Sequence, residues 1–264
     1  MVLITGASSG LGKSTAELLS AKDMRVFGTS RKTRGERVDG YDLLPLDVDS
    51  DSSVDRCVKS VMEKTDRLDV LVNNAGQIRV GAIEETTMAE GKSVFETNFF
   101  GAVRMVNAVL PIMKKQKEGL IINVSSLGAT IATPTRAFYS ASKVALGTYS
   151  EVLRYEVRRF GIHACAVYPG AFNTGAENRT VLPSVPLDEY KQMRNNVIAV
   201  RANDLQNGDD PKLLAETMLR IIRTKSPKAS YWVGKGARAL PVLKSILPRS
   251  TFESGVERHY KLND

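Results

Sequence analysis

The chain reads as an α/β protein built on a doubly wound parallel sheet, and three observations carry that reading. Short apolar runs of strand length alternate with stretches of helical period along the chain. Such alternation argues for parallel strands covered by helices on both faces. A glycine-rich turn joins the first apolar run to the first helical period. With 264 residues, 42% of them hydrophobic, the chain can bury one sizeable core, and no Gly/Ser linker or repeat divides it. Residues 1–264 are therefore expected to form one unit.

The first strand is Val2-Leu3-Ile4. The turn Thr5-Gly6-Ala7-Ser8-Ser9-Gly10-Leu11-Gly12 follows directly, and Leu11, Thr15, Leu18 and Leu19 then recur at helical spacing. Further strands are expected at 24–29, 42–46, 68–72, 120–124, 162–168 and 229–233. A helix runs through Tyr139 and Lys143 and continues along the stripe Val152, Tyr155, Glu156 and Arg159. Residues 171–207 mix Pro183 and Pro186 with a helical stretch at 187–200, and are expected to form a mobile flap. A C-terminal extension, 234–264, contains a Leu-rich stretch at 237–247. That stretch leaves two readings open, an ordinary packing helix or an amphipathic helix touching a membrane.

Strand, glycine turn and helix together make an anion site. Gly6 permits the tight turn, Gly10 lets backbone approach a phosphate, and Gly12 lets helix and strand pack closely. The helix N-terminus adds unpaired N–H groups and partial positive charge. A dinucleotide is the ligand this arrangement suits.

Tyr139 and Lys143 are four residues apart, so one face of a helix presents both. A phenol titrates near pH 10, and an ammonium one turn away stabilises its anion and lowers that value. Ser126 ends the apolar run 120–124 and brings a hydroxyl to the same cleft. Alternation along the strand turns Ser125 to the other face, so Ser126 is the expected catalytic serine.

These motifs, with Asn73-Asn74-Ala75-Gly76, Asn98 and Pro169-Gly170 with Thr174, occur in an order that resembles the short-chain dehydrogenase/reductase family. The likeness covers residues 1–174 and continues loosely to the end, nearest to the steroid- and retinoid-type branch. It implies a Rossmann-type sheet of seven strands in the order 3-2-1-4-5-6-7. It further implies an enzyme that transfers hydride between a nicotinamide cofactor and a carbonyl/alcohol pair. Tyr139 would be the acid/base, Ser126 would orient the substrate oxygen, and Lys143 would hold the nicotinamide ribose. Asn98 would hold a water near Lys143. Thr5, Gly6, Ser8, Ser9, Gly10, Leu11 and Gly12 would form the cofactor-binding turn, with Asp47 and Val48 bordering adenine. Asn73, Ala75 and Gly76 would line the cofactor, and Pro169, Gly170 and Thr174 the nicotinamide. A homodimer or homotetramer is implied, with the Tyr139 helix at a subunit interface. A non-catalytic dinucleotide sensor or scaffold is the alternative, and the intact Ser-Tyr-Lys set argues against it.

In dinucleotide folds an acid at the end of the second strand accepts hydrogen bonds from the adenine-ribose 2′-OH. Here Ser30 stands there, followed by Arg31, whose guanidinium suits a phosphate. NADP(H) is favoured over NAD(H), although Ser9 replaces the basic residue that often precedes the second glycine in NADP-binding relatives.

The formal charge is +8, but the basic residues are spread and no nucleic-acid motif is present, so nucleic acid is not an expected partner. Cys57 and Cys165 have no metal-ligand spacing, and no metal site is expected. The first strand begins at residue 2 and no apolar run reaches membrane-spanning length, which together point to a cytoplasmic protein. Val80, Ile131, Pro134, Phe138, Tyr168 and Phe172 are the expected pocket. No charged residue is assigned to it, which favours a hydrophobic carbonyl or alcohol substrate.

Overall fold

In the computed structural model, which describes residues 1–175 and 180–262, β1 (Val2–Ile4) lies at the centre of the sheet. It pairs in parallel with β2 (Val26–Ser30) on one side and β5 (Val70–Asn73) on the other. Beyond β2 lie β4 (Tyr41–Pro45) and then β3 (Glu36–Val38); beyond β5 lie β6 (Gly119–Val124), β7 (Ile162–Pro169) and β8 (Ser230–Val233). The sheet thus has eight strands, one more than expected. The added strand is β3, which pairs antiparallel with β4 at the edge. Its Glu36-Arg37-Val38 sequence lies within a basic, Gly-containing stretch too short and polar to signal a strand. Hairpin geometry forms it: Asp39 and Gly40 both have positive φ, which closes the turn into β4. The seven parallel strands keep the expected order.

The central strands are buried on both faces and therefore read as almost continuous apolar runs. Their period-2 geometry divides them between two cores. Val2, Ile4, Val70, Val72 and Ile122 face one core, which α1 (Gly10–Ser20) and α7 (Pro211–Arg223) cover with Leu19, Leu214, Met218 and Ile221. Leu3, Leu71 and Ile121 face the other, covered by α2 (Asp51–Lys64), α4 (Gly101–Gln116) and α5 (Ala137–Val157). Leu71 and Ile121 are fully buried, so truncating either to Ala would cost about 2–5 kcal/mol.

Between β5 and α4, α3 (Met88–Phe95) starts with a capping box, in which Thr87 and Glu90 satisfy each other's backbone N–H groups. A single π-helical turn, Glu96–Phe100, then leads into α4. The described part of 171–207 contains α6 (Lys191–Gln206), and several contacts tie it down. Fully buried Glu85 pairs with Arg194 and accepts from the Leu187 N–H, and Tyr190 donates to Glu84. The chain ends in α8 (Ala239–Ile246) and α9 (Arg249–Tyr260). No helix among the described residues is long and apolar enough to cross a membrane.

Candidate active site

Strand order reverses between β1 and β5, and the crevice beyond the carboxyl ends of such strands is where α/β sheets bind ligands. The segments that follow β1, β5, β6 and β7 line a single cavity of about 1040 Å³ there.

The glycine turn lies at one edge of the cavity, which it reaches through Leu11. Gly6 and Gly10 have φ of +67° and +56°, a region that disfavours side chains. A Cβ on Gly12 would lie 2.3 Å from the Gly6 carbonyl oxygen and 2.4 Å from Asn74 Nδ2, so only glycine allows α1 to sit this close. Asn74 clamps the turn by donating to the Thr5 and Gly6 carbonyls, while Thr5 Oγ1 accepts from the Asn74 and Ala75 N–H groups. Ser8 and Ser9 are exposed, and Leu11 lines the cavity. The first turn of α1 carries no acid to compete with a bound anion. This cradle fits a dinucleotide pyrophosphate.

The floor is α5. Tyr139 and Lys143 are 9% and 5% exposed, one turn apart, and both line the cavity. Burial pushes the Tyr139 phenol up. The cations of Lys143 and Arg136, a hydrogen bond from Ser126 and the charge of Arg201 outweigh it, so the net shift is below the ordinary phenol value. Burial depresses Lys143, and Tyr139 opposes that shift. Lys143 Nζ donates to the Val124 carbonyl at 2.8 Å, which fixes the ammonium at the end of β6. The adjacent serines part as alternation predicts. Ser125 Oγ donates to the Lys143 carbonyl, whereas Ser126 accepts from the Gly128 N–H and meets Tyr139.

Asn98 is fully buried in the π-helical turn. Its amide accepts from the Gln77 N–H at 2.8 Å and donates to the Gln77 carbonyl and to Ser142 Oγ, both at 3.1 Å. The observed contacts therefore join the segment after β5 to the Tyr139 helix. Gly76 lies against both Asn98 and Lys143, and it lines the cavity with Pro169, Gly170 and Thr174. Asn73 behaves differently. Its side chain donates to the Ala102 carbonyl and Asn123 Oδ1, turning into the interior beneath α4.

At the adenine end, Arg31 is exposed just beyond β2, and Ser30 Oγ accepts from the Lys32 N–H. Arg37, in β3, is tied to Asp42. Asp47 is half-buried with its carboxylate accepting from the Asp49 N–H, and Val48 is buried against Gly101.

The pocket expectation needs two corrections. Ile131 and Phe172 line the cavity, but Val80, Pro134, Phe138 and Tyr168 do not. Tyr168 instead stacks on Trp232 at 4.2 Å, and Phe138 fills the space over Gly91. The cavity also has charged walls: Arg136, Arg201, Asp204, Lys235 and His259. The Arg136 guanidinium lies over the Tyr139 ring, 4.4 Å from its centroid. Its spacing of three residues from Tyr139 was the available signal. Arg201, Asp204 and His259 gave none, because α6 and α9 meet only in the folded chain, where His259 bridges Asp204 at 2.9 Å. The remaining wall is apolar, with Leu240, Leu243, Phe252 and Val256 from the last two helices and Leu247 between them.

Comparison with known proteins agrees with this geometry. A family profile described as short chain dehydrogenase matches residues 1–182. The chain is 39% identical to a 3-ketodihydrosphingosine reductase of Bacteroides thetaiotaomicron, over 99% of this chain and 98% of that protein. It is 32% identical to retinol dehydrogenase 8 of Bos taurus, over 94% of this chain and 85% of that protein. Among solved structures, a short-chain dehydrogenase from Streptomyces avermitilis superposes with a TM-score of 0.79 at 32% identity, covering 97% of each chain. This chain belongs to the short chain dehydrogenase family, whose members are oxidoreductases acting on alcohol and carbonyl groups.

Proposed function

We propose that this protein is an NADP(H)-dependent reductase that converts a hydrophobic ketone to a secondary alcohol, and that the reverse oxidation uses the same residues. The observation that carries this reading is the juxtaposition of Ser126, Tyr139 and Lys143 in a cavity whose far wall is apolar. Similarity to a protein named for reducing 3-ketodihydrosphingosine supports a lipid-like ketone. Exposed Arg31 after β2, where an acid would repel a 2′-phosphate, supports NADP(H).

The glycine turn, Arg31, Asp47, Val48, Lys143 and Thr174 would hold the cofactor. When bound, its nicotinamide supplies hydride in reduction and accepts hydride in oxidation. Ser126 orients the carbonyl oxygen by hydrogen bonding. Tyr139 gives that oxygen a proton as the alkoxide develops, and takes one back in oxidation. Lys143 stabilises the phenolate left behind, and Asn98 braces the turn that packs on the Tyr139 helix. Exposed Val144, Val152 and Tyr155 on α5 support pairing with a second copy through that helix.

The test follows NADPH absorbance with 3-ketodihydrosphingosine and a series of shorter ketones. Turnover with NADPH that improves with chain length is expected. Tight NADPH binding without turnover of any ketone, aldehyde or alcohol would overturn the reading.

A further inference from the structure

Helices α8 and α9 both line the cavity without a buried residue of their own, and α8 is the apolar one of the two. Its sequence, Ala-Leu-Pro-Val-Leu-Lys-Ser-Ile, is strongly amphipathic. Its inward side supplies Leu240 and Leu243 to the cavity wall, and Leu247 follows just after it. Its outward side leaves Val242 and Ile246 57% and 68% exposed. Leu243 and Leu247 belong to both sides: they line the cavity and remain 40% and 38% exposed. A residue that does both marks an opening, so the apolar wall continues out to the protein surface at this helix.

Charge around the helix has one dominant sign. Lys235, Arg238, Lys244 and Arg249 are exposed within and beside it, and the chain has no Asp or Glu between Glu216 and Glu253. Lys244 is held by the Thr130 carbonyl, which fixes α8 against the loop after β6. Arg249 pairs with Glu253 and is partly neutralised, leaving Lys235, Arg238 and Lys244 as the main cations. Exposed aliphatic side chains among cations are the combination that an anionic lipid surface accepts, with the apolar groups entering the headgroup boundary and the cations meeting phosphate.

We propose that α8 docks on the surface of an anionic bilayer, with Val242 and Ile246 inserted and the cavity mouth at Leu243 and Leu247 facing lipid. A hydrophobic ketone then reaches Tyr139 without crossing water. The route of the ketone rests on the substrate reading above; the docking itself does not.

Vesicle co-sedimentation of the full chain tests the docking, using phosphatidylglycerol-containing vesicles against phosphatidylcholine alone. Binding to the anionic vesicles is expected, at least about tenfold tighter than to the neutral ones at low salt and weakening as salt is added. Val242→Glu/Ile246→Glu should reduce that binding by at least about tenfold. Neither residue lines the cavity, so turnover of a short water-soluble ketone should be unchanged, while turnover of a vesicle-borne ketone should fall. A parent protein that ignores anionic vesicles, or a double variant that binds them equally well, would overturn the proposal. So would a parent dimer that the double variant splits without any vesicle binding, because the face would then belong to a second copy. Failure of all ketone turnover with intact vesicle binding would sink the substrate reading and leave the docking standing.

Discussion

Helices α5 and α8 both line the active-site cavity, and they are held in opposite ways. Eight residues of α5 are buried, Tyr139 and Lys143 among them, while α8 has no buried residue. A helix locked into the core holds reacting groups within the narrow tolerance that proton transfer requires. A helix resting on the surface opens and shifts at little free-energy cost. On the proposed reading, chemistry and substrate access fall to elements of different stability. Substitutions on α5 should act on rate, and substitutions on α8 on delivery.

The strongest way to break this contrast is Tyr139→Phe, which keeps the ring and its packing. Single-turnover reduction should fall by roughly 10²–10⁴-fold, the scale of general acid–base assistance, with NADPH affinity retained. Near-normal rates would move the proton donor elsewhere. Next is Gly12→Ala, whose Cβ would collide with the Gly6 carbonyl. NADPH affinity should drop by about 100-fold, roughly 3 kcal/mol. A melting curve must accompany the titration, since a variant that binds normally would show that the turn has room to relax.

Arg31→Asp sharpens the cofactor assignment. If Arg31 holds the 2′-phosphate as proposed, the change replaces a charge-assisted contact with repulsion, and NADPH affinity should fall about tenfold or more relative to NADH. Equal losses for both cofactors would place the 2′-phosphate away from Arg31. The smallest effect belongs to Arg136→Met. Removing the guanidinium over the Tyr139 ring takes away one of the charges that lower the phenol, so the rising limb of the oxidation profile should move to higher pH. An unmoved limb would leave Arg136 with packing alone.

The same contrast explains what could be read from sequence. The glycine turn and the Tyr139–Lys143 pair are each encoded within one local segment, so spacing alone puts their atoms together. The order of the seven parallel strands followed from family resemblance, and β3 escaped because a turn geometry formed it rather than an apolar pattern. The cavity walls were harder. Tyr168 is aromatic and next to Pro169, yet it stacks on Trp232 across a strand pairing that sequence does not announce. Arg201 and His259 reach the cavity from α6 and α9, far apart in the chain, and only tertiary packing unites them. The sequence carries no sign of the Asn74 clamp either: its amide donates to the Thr5 and Gly6 carbonyls, which only the folded chain brings within reach.

The central claim is that buried Lys143 sets the proton affinity of Tyr139. Oxidation needs the phenolate, so its rate rises with pH through the lowered Tyr139 pKa; reduction needs the phenol and falls above that pH. Lys143→Met keeps much of the side-chain stem and removes the charge, which raises the phenol's proton affinity. The decisive measurement is the pH dependence of single-turnover hydride transfer in both directions, in the parent and in Lys143→Met, at saturating cofactor. Both limbs should move to higher pH in the variant, and oxidation at neutral pH should slow more than reduction. Limbs that stay where they are in the parent, with measurable activity remaining, would contradict the account.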